Sequence, residues 1–156
     1  MSTKTELETK IPPPLLGFAT ALLMWLLAQL LPTLSMVSPN LYRVGIVVML
    51  AGVCLDVIGL LQFRKNNTTI SPLSPEKASN MVTTGLYKYS RNPMYLGLLI
   101  ILTGWSLYLG NLASIACLPI FVRLITKFQI LPEERILKER FGAPYEEYLG
   151  KVRRWI

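Results

Sequence analysis

Four apolar blocks separated by short polar connections organise the chain. The first runs from Leu15 to Leu31, opened by Pro12-Pro13-Pro14 and closed by Pro32, with Gln29 as its one strongly polar residue. The second runs from Leu41 to Phe63, carries Asp56, and ends on Arg64-Lys65. The third covers Met94 to Tyr108. After a Gly110-Asn111 turn, the fourth covers Leu112 to about Ile125 and carries Arg123. A hydrocarbon core of about 30 Å takes roughly 17–25 helical residues to cross. The first two blocks meet that length, and the last two predict a tight helical hairpin. The first block is longer than the roughly 7–15-residue core of a secretory signal, and Glu6 and Glu8 dilute its basic flank, so it reads as a retained span.

Between the second and third blocks, Asn66 to Asn80 holds Asn66-Asn67, Ser71-Pro72 and Ser74-Pro75. Such turn formers forbid a continuous helix and predict a loop that leaves the membrane and returns. From Leu131 onward the chain turns polar. Ile136, Leu137, Phe141, Tyr145, Tyr148 and Leu149 recur at helical spacing around a Gly142-Ala143-Pro144 break, which predicts two amphipathic helices with Pro132 in the first turn of the earlier one. The expected fold is all-α: a polytopic membrane protein with about four transmembrane helices, the last two a hairpin, plus cytoplasmic C-terminal helices. It forms one membrane-embedded domain over 1–156. Within it, 1–65 holds the N-terminal spans, 66–93 a cytoplasmic loop and motif, 94–126 the hairpin, and 127–156 a segment covering the site.

Composition agrees. Hydrophobic residues make up 52% of the 156 positions and charged residues 16%, with a positive mean hydropathy, more apolar than an ordinary soluble domain. The positions of the basic residues orient the spans. Placing both termini and the Arg64–Arg91 connection on one side leaves only Arg43 opposite and Arg123 within the membrane. The positive-inside bias therefore predicts cytoplasmic termini and a cytoplasmic motif loop. The net charge of +7 then faces anionic headgroups and calls for no nucleic-acid partner. His is absent, and the two cysteines, Cys54 and Cys117, sit in apolar blocks, so neither a zinc or other metal site nor a His-based triad is expected.

The candidate chemistry lies where the loop enters the third block, in Gly85-Leu86-Tyr87-Lys88-Tyr89-Ser90-Arg91-Asn92-Pro93-Met94-Tyr95-Leu96-Gly97. Pro93 suits the first turn of a helix and places Asn92 at its N-cap. The exposed N–H groups and positive dipole end there suit a carboxylate or phosphate. Tyr87, Tyr89 and Tyr95 fall around this end, which reads either as a ligand site or as an aromatic belt with a basic flank. Glu133 and Glu134 follow the fourth block. They read either as acidic residues favouring a helix N-terminus or as partners of a cationic or hydroxyl-bearing ligand.

Gly85, Tyr87, Arg91, Asn92, Pro93, Tyr95 and Gly97, followed by Glu133, Glu134, Leu137, Phe141, Gly142, Tyr145 and Tyr148, form a two-part pattern. It resembles the isoprenylcysteine carboxyl methyltransferase and phospholipid N-methyltransferase group of integral membrane enzymes, over Ser79 to Ile156. The resemblance implies an enzyme that takes S-adenosylmethionine on the cytoplasmic side and methylates a lipid-like or hydrophobic small-molecule acceptor drawn from among membrane lipids. By the same resemblance the cofactor is held by Ser79, Asn80, Met81 and Val82, then by Tyr87, Asn92, Pro93, Met94 and Tyr95, then by Glu133 and Glu134. In-line methyl transfer needs alignment and exclusion of water more than a nucleophilic side chain, so the lack of His is compatible with it.

Two departures from the pattern bear on the acceptor. Asn92 stands where the prenylcysteine enzymes have His, losing titration near neutral pH. Gln129 stands where they have an Arg that holds the substrate carboxylate, and a neutral amide is a weaker carboxylate partner. Gln129, Arg123 and Glu134 are the candidates at the acceptor, with Arg123 or Lys127 able to replace the missing charge. Asp56 and Arg123 are ionisable residues at membrane depth, each within reach of the cytoplasmic helix end. Arg153 and Arg154 read as headgroup anchors, the second falling where relatives have an Arg closing the site. Two other function classes fit the same features less well: an NADPH-dependent membrane reductase related to sterol reductases, and a non-catalytic membrane subunit.

Overall fold

The computed structural model describes residues 12–36, 38–65 and 81–156. The expected loop Asn66 to Asn80, with the candidate residues Ser79 and Asn80, lies outside the described residues. The described residues form six α-helices: α1 (Pro13–Leu30), α2 (Pro39–Lys65), α3 (Pro93–Leu109), α4 (Leu112–Ile125), α5 (Leu131–Phe141) and α6 (Ala143–Lys151). No β-strand occurs among the described residues. Among the described residues, three helical stretches are long and apolar enough to cross a membrane, Pro13–Leu30, Pro39–Gln62 and Leu112–Phe141, and Pro93–Leu109 is a shorter apolar helix. At about 1.5 Å per residue, the 17 residues of α3 extend roughly 26 Å, a little under one hydrocarbon thickness.

The hairpin turn has the expected chemistry. Gly110, at φ 56°, occupies the left-handed position that ends α3. Asn111 then accepts the Ala113 N–H at 2.9 Å to cap α4, and its amide donates to the Leu31 carbonyl at 2.9 Å. One side chain therefore fixes both the hairpin and its seat against the end of α1.

Helix α3 sits at the centre, packed against α1, α2 and α4. Toward α1 and α4 it builds an ordinary side-chain core of Met24, Tyr95, Leu102, Cys117, Phe121, Ile125 and Ile130, and Trp105 donates its indole N–H to the Ala21 carbonyl at 3.0 Å. Toward α2 the approach is closer, made by glycines on both helices beside side chains such as Tyr42 and Tyr108, whose rings lie 4.6 Å apart. Gly45, Gly52 and Gly59 lie seven apart, as do Gly97 and Gly104. A Cβ at Gly52 would come within 2.7 Å of the Gly97 carbonyl oxygen, and one at Gly45 within 2.6 Å of the Tyr108 nitrogen. The two backbones touch there. In lipid, where apolar burial between helices gains little, such small-residue contacts are a main source of association.

The C-terminal segment differs from expectation. Instead of an exit near Ile125 and a separate helix, α4 and α5 form one continuous rod over Leu112–Phe141, joined by a π-helical turn over Thr126–Ile130 in which the Leu131 N–H reaches the Thr126 carbonyl. Pro132 supplies the cause. It has no N–H to give and its ring would strike the carbonyl four residues back, so one extra residue is accommodated ahead of it rather than the helix being broken. Such turns often mark functional positions. After Gly142, at φ 58°, α6 folds back and the chain ends in an extended strap.

Candidate active site

The end of α2 and the motif fix each other. Gln62 accepts the Leu86 N–H at 2.9 Å. Gly85 has a φ of 63°, and a Cβ there would fall 2.4 Å from the Gln62 amide nitrogen, so glycine answers both the left-handed backbone and the lack of room. This anchors the short 3₁₀ turn Gly85–Lys88 and buries Tyr87, whose carbonyl accepts the Tyr148 hydroxyl at 2.7 Å. Pro93 opens α3 with Asn92 at the N-cap position, but the Asn92 side chain does not cap. Its amide donates instead to the Arg154 carbonyl at 3.0 Å. Among the described residues, the N–H groups of the first turn of α3 are thereby left without a side-chain acceptor.

The acidic pair divides its work. Consecutive helical residues point about 100° apart, so Glu133 and Glu134 face different partners. Glu133 accepts the Tyr95 hydroxyl through Oε1 at 2.5 Å. Glu134 is clamped by two guanidiniums: Arg154 makes a fork to both carboxylate oxygens at 3.0 and 2.7 Å, and Arg91 adds a third contact at 3.1 Å. Bidentate arginine–carboxylate pairs combine charge with fixed direction. The strap is stitched down further, by the Arg91 N–H to the Arg153 carbonyl at 3.0 Å and by Arg91 NH1 to the Leu149 carbonyl at 3.3 Å. Residues 149–154 therefore close over Ser90–Asn92.

Burial governs the protonation of the tyrosines. The Tyr87 hydroxyl is pushed well above the ordinary phenol range by burial, and further by Tyr148, Glu133 and Asp56. Tyr148 is pushed up to about 12 by burial, against the pull of Arg91. Both remain neutral donors at physiological pH and neither serves as a base.

The structure links Tyr95 to Glu133, Asn92 to the strap and Tyr87 to Tyr148. Val82, Tyr87, Pro93 and Tyr95 are buried, and Met81, Asn92, Met94 and Glu133 are half-buried. Gln129 is buried at 1% exposure on the π turn, four residues before Glu133 and therefore on the same side of the rod. Others fall elsewhere. Tyr89 is 76% exposed, because the 3₁₀ turn rotates it away from Tyr87, so it is not part of the cluster. Arg123 is exposed on α4, and Lys127 is exposed with its ammonium 5.4 Å from the Phe128 ring centroid; neither replaces a buried arginine. Arg154 is no headgroup anchor, since its guanidinium is committed to Glu134. Gln62 and Tyr148, not singled out from the sequence as site residues, hold the motif in place; the only available signal for Gln62 was a polar residue closing an apolar block.

The donor set suits a zwitterionic, hydroxyl-bearing ligand. Uncapped helix N–H groups take an anion, and the second oxygen of Glu133, with no partner among the described residues, takes an ammonium or hydroxyl.

Comparison with known proteins shows the family. A family model described as phospholipid methyltransferase matches residues 41–144, the span from α2 through the motif and hairpin to α6. An uncharacterized protein of Haemophilus influenzae is 48% identical over 63 residues, 40% of this chain and 100% of that protein. A probable protein-S-isoprenylcysteine O-methyltransferase of Oryza sativa subsp. indica is 31% identical over 110 residues, 70% of this chain and 57% of that protein. The protein-S-isoprenylcysteine O-methyltransferase of Saccharomyces cerevisiae is 41% identical over 75 residues, 46% of this chain and 30% of that protein. The chain thus spans little more than half of the rice relative and less than a third of the yeast one. No solved structure matches it. With the match covering residues 41–144, which include the site residues from Gln62 to Glu134, this chain belongs to the phospholipid methyltransferase family.

Proposed function

We propose that the protein is an S-adenosylmethionine-dependent methyltransferase that modifies a lipid-like or hydrophobic small-molecule acceptor at the cytoplasmic face of the membrane. The observation that carries the reading is the meeting of the uncapped first turn of α3, Tyr95 and Glu133 beneath a clamped C-terminal strap. When bound, S-adenosylmethionine would supply a methyl group on a sulfonium, ready for in-line displacement. On the protein side, the first-turn N–H groups of α3 would hold the methionine carboxylate, and Glu133, oriented by Tyr95, would hold the amine or a ribose hydroxyl. Met81, Val82 and Met94 would pack against the rest, with Ser79 and Asn80 as further polar candidates. The strap over Ser90–Asn92 excludes water. Catalysis by alignment and desolvation follows, with no protein nucleophile. The names of the rice and yeast relatives tie methyl transfer to isoprenylcysteine. A buried, uncharged Gln129 argues against a small prenylcysteine carboxylate as the acceptor here.

The assay is tritiated-methyl transfer from S-adenosylmethionine with membrane lipid extract or a farnesylcysteine analogue as acceptor, using wild type and Gln129→Arg. Label in the lipid fraction, with the farnesylcysteine analogue poor until Gln129→Arg, is the expected outcome. Efficient wild-type turnover of the farnesylcysteine analogue, not improved by Arg, would refute the inference from Gln129.

The charge distribution supports a topology with the termini and motif on the cytoplasmic side. Single cysteines replacing Arg43 and Asn111, in a background lacking Cys54 and Cys117, should be protected from a cytoplasmic thiol reagent, whereas one replacing the exposed Glu139 should label. Labelling of Asn111→Cys from the cytoplasm would show that the hairpin does not cross.

A further inference from the structure

Asn92 occupies the N-cap position of α3, yet its side chain is employed elsewhere. Asparagine is among the strongest N-cap residues, because its short amide oxygen reaches the N–H of the second or third helical residue. In α3 those residues are Met94 and Tyr95, and Asn92 caps neither. Its amide nitrogen donates instead to the Arg154 carbonyl at 3.0 Å. Ser90, only 3% exposed, reinforces that choice: its hydroxyl accepts the Asn92 N–H at 3.1 Å and donates to the same carbonyl at 3.4 Å. One carbonyl of the strap thus gathers two motif side chains.

The backbone agrees with this use. A residue that caps a helix has an extended backbone, whereas Asn92 lies at φ −130° and ψ 55°. Holding the strap and capping α3 therefore need different conformations of one residue and exclude each other. The strap is an extended segment after α6, kept in place by the Arg154–Glu134 fork, the Arg91 N–H to Arg153 carbonyl bond at 3.0 Å and the packing of Trp155 against the core. A short non-helical segment held by so few contacts opens far more readily than the bundle beneath it. When it opens, Asn92 loses its acceptor, and the Met94 and Tyr95 N–H groups still lack one.

We propose that Asn92 exchanges between the strap and the end of α3. With the strap closed, the Arg154 carbonyl holds Asn92 and the first turn of α3 stands open to an anion; with the strap open, Asn92 caps that turn and blocks it. The inference rests on the methyltransferase reading for the identity of the anion, the methionine carboxylate, and adds to it a positioning residue that couples cofactor capture to closure. The coupling runs both ways. An anion on the first turn denies Asn92 its alternative bond and so favours the closed strap, and a closed strap keeps the turn free for the anion.

Two substitutions separate an exchange from a plain pin. Asn92→Ala removes the strap bond and the cap together, so the closed and open states lose comparable amounts. Asn92→Asp keeps the cap, strengthened by the helix dipole, while its carboxylate has no proton to donate to the Arg154 carbonyl. The reporter is hydrogen exchange in detergent at the Arg91 amide, which donates to the Arg153 carbonyl in the closed state. In ligand-free protein, Asn92→Ala should stay within about three-fold of wild-type protection and Asn92→Asp should lose about ten-fold or more, with the amides of α2 and of α3 beyond its first turn unchanged. S-adenosylhomocysteine should raise Arg91 protection in wild type; Asn92→Ala should bind it at least as tightly, with Arg91 protection nearly unchanged on binding. Asn92→Ala loosening the strap as much as Asn92→Asp would reduce Asn92 to a pin, and a strap still closed in Asn92→Asp would remove the exchange. Equal gains in protection from S-adenosylhomocysteine in wild type and Asn92→Ala would also overturn it. If wild type binds no S-adenosylhomocysteine, the methyltransferase reading falls, and the two ligand-free comparisons still decide whether Asn92 exchanges.

Discussion

Glu134→Ala should release the C-terminal strap and disable the site without dissolving the bundle. The carboxylate is the shared partner of Arg91 and Arg154, and the Arg91 and Glu134 side chains are only 11% and 14% exposed. Removing it leaves two guanidiniums facing each other with no counter-charge. Breaking a largely buried pair from one side costs about 3–5 kcal/mol, and the half-exposed Arg154 draws the expectation toward the lower end. The Arg91 N–H to Arg153 carbonyl bond and the Asn92 amide to Arg154 carbonyl bond hold the same strap, so they should loosen together. Hydrogen exchange in detergent is the measurement. Residues 149–156 and the Arg91 amide should lose about a hundred-fold or more of their protection, while amides in α2 and α3 keep theirs. Unchanged protection across 149–156 would mean that the clamp does not hold the strap.

Gly52→Ala is expected to be the more damaging change to the fold itself. Its new methyl would meet the Gly97 carbonyl oxygen at 2.7 Å and the Ile101 nitrogen at 2.8 Å, and backbone atoms in a helix cannot turn aside as a side chain does. Forcing one methyl into a filled interface costs about 1–3 kcal/mol, several degrees of melting midpoint for a chain of this size; Gly52→Val should exceed it. Gly59 is the internal control. A Cβ there meets only the flexible Met94 side chain at 3.2 Å, so Gly59→Ala should be nearly neutral. Equal midpoints for Gly52→Ala and Gly59→Ala would rule out backbone contact between α2 and α3.

Elements governed by local composition were legible in the sequence. The first three apolar blocks became helices close to their expected limits, the fourth began where expected but ran on into α5, and Gly110-Asn111 made the expected turn, because hydropathy and turn chemistry act over neighbouring residues. The motif and Glu133 also came together as expected. What escaped depends on distant partners. Arg154 gave no sign that it would fold back on Glu134, since a basic pair near a membrane protein's end also suits headgroups. The π turn came from a balance between Pro132, which disfavours regular hydrogen bonding, and the packing of Gln129 and Ile130, which keeps the rod intact. The glycines seven apart on α2 and α3 were a readable signal, and only the approach of the two helices gave it meaning. Asp56 looked able to snorkel toward the cytoplasm, yet its carboxylate turns inward against Gly97 of α3.

The most direct test of the central claim is titration calorimetry of the purified protein in detergent with S-adenosylhomocysteine, beside NADPH and beside Glu133→Gln. Saturable one-site binding of S-adenosylhomocysteine is expected, weakened by about 1.5–3 kcal/mol in Glu133→Gln, the scale of a hydrogen bond to a charged group, with no heat from NADPH. Saturable binding of NADPH with none of S-adenosylhomocysteine, or S-adenosylhomocysteine affinity indifferent to Glu133→Gln, would contradict the methyltransferase site described between α3 and α5.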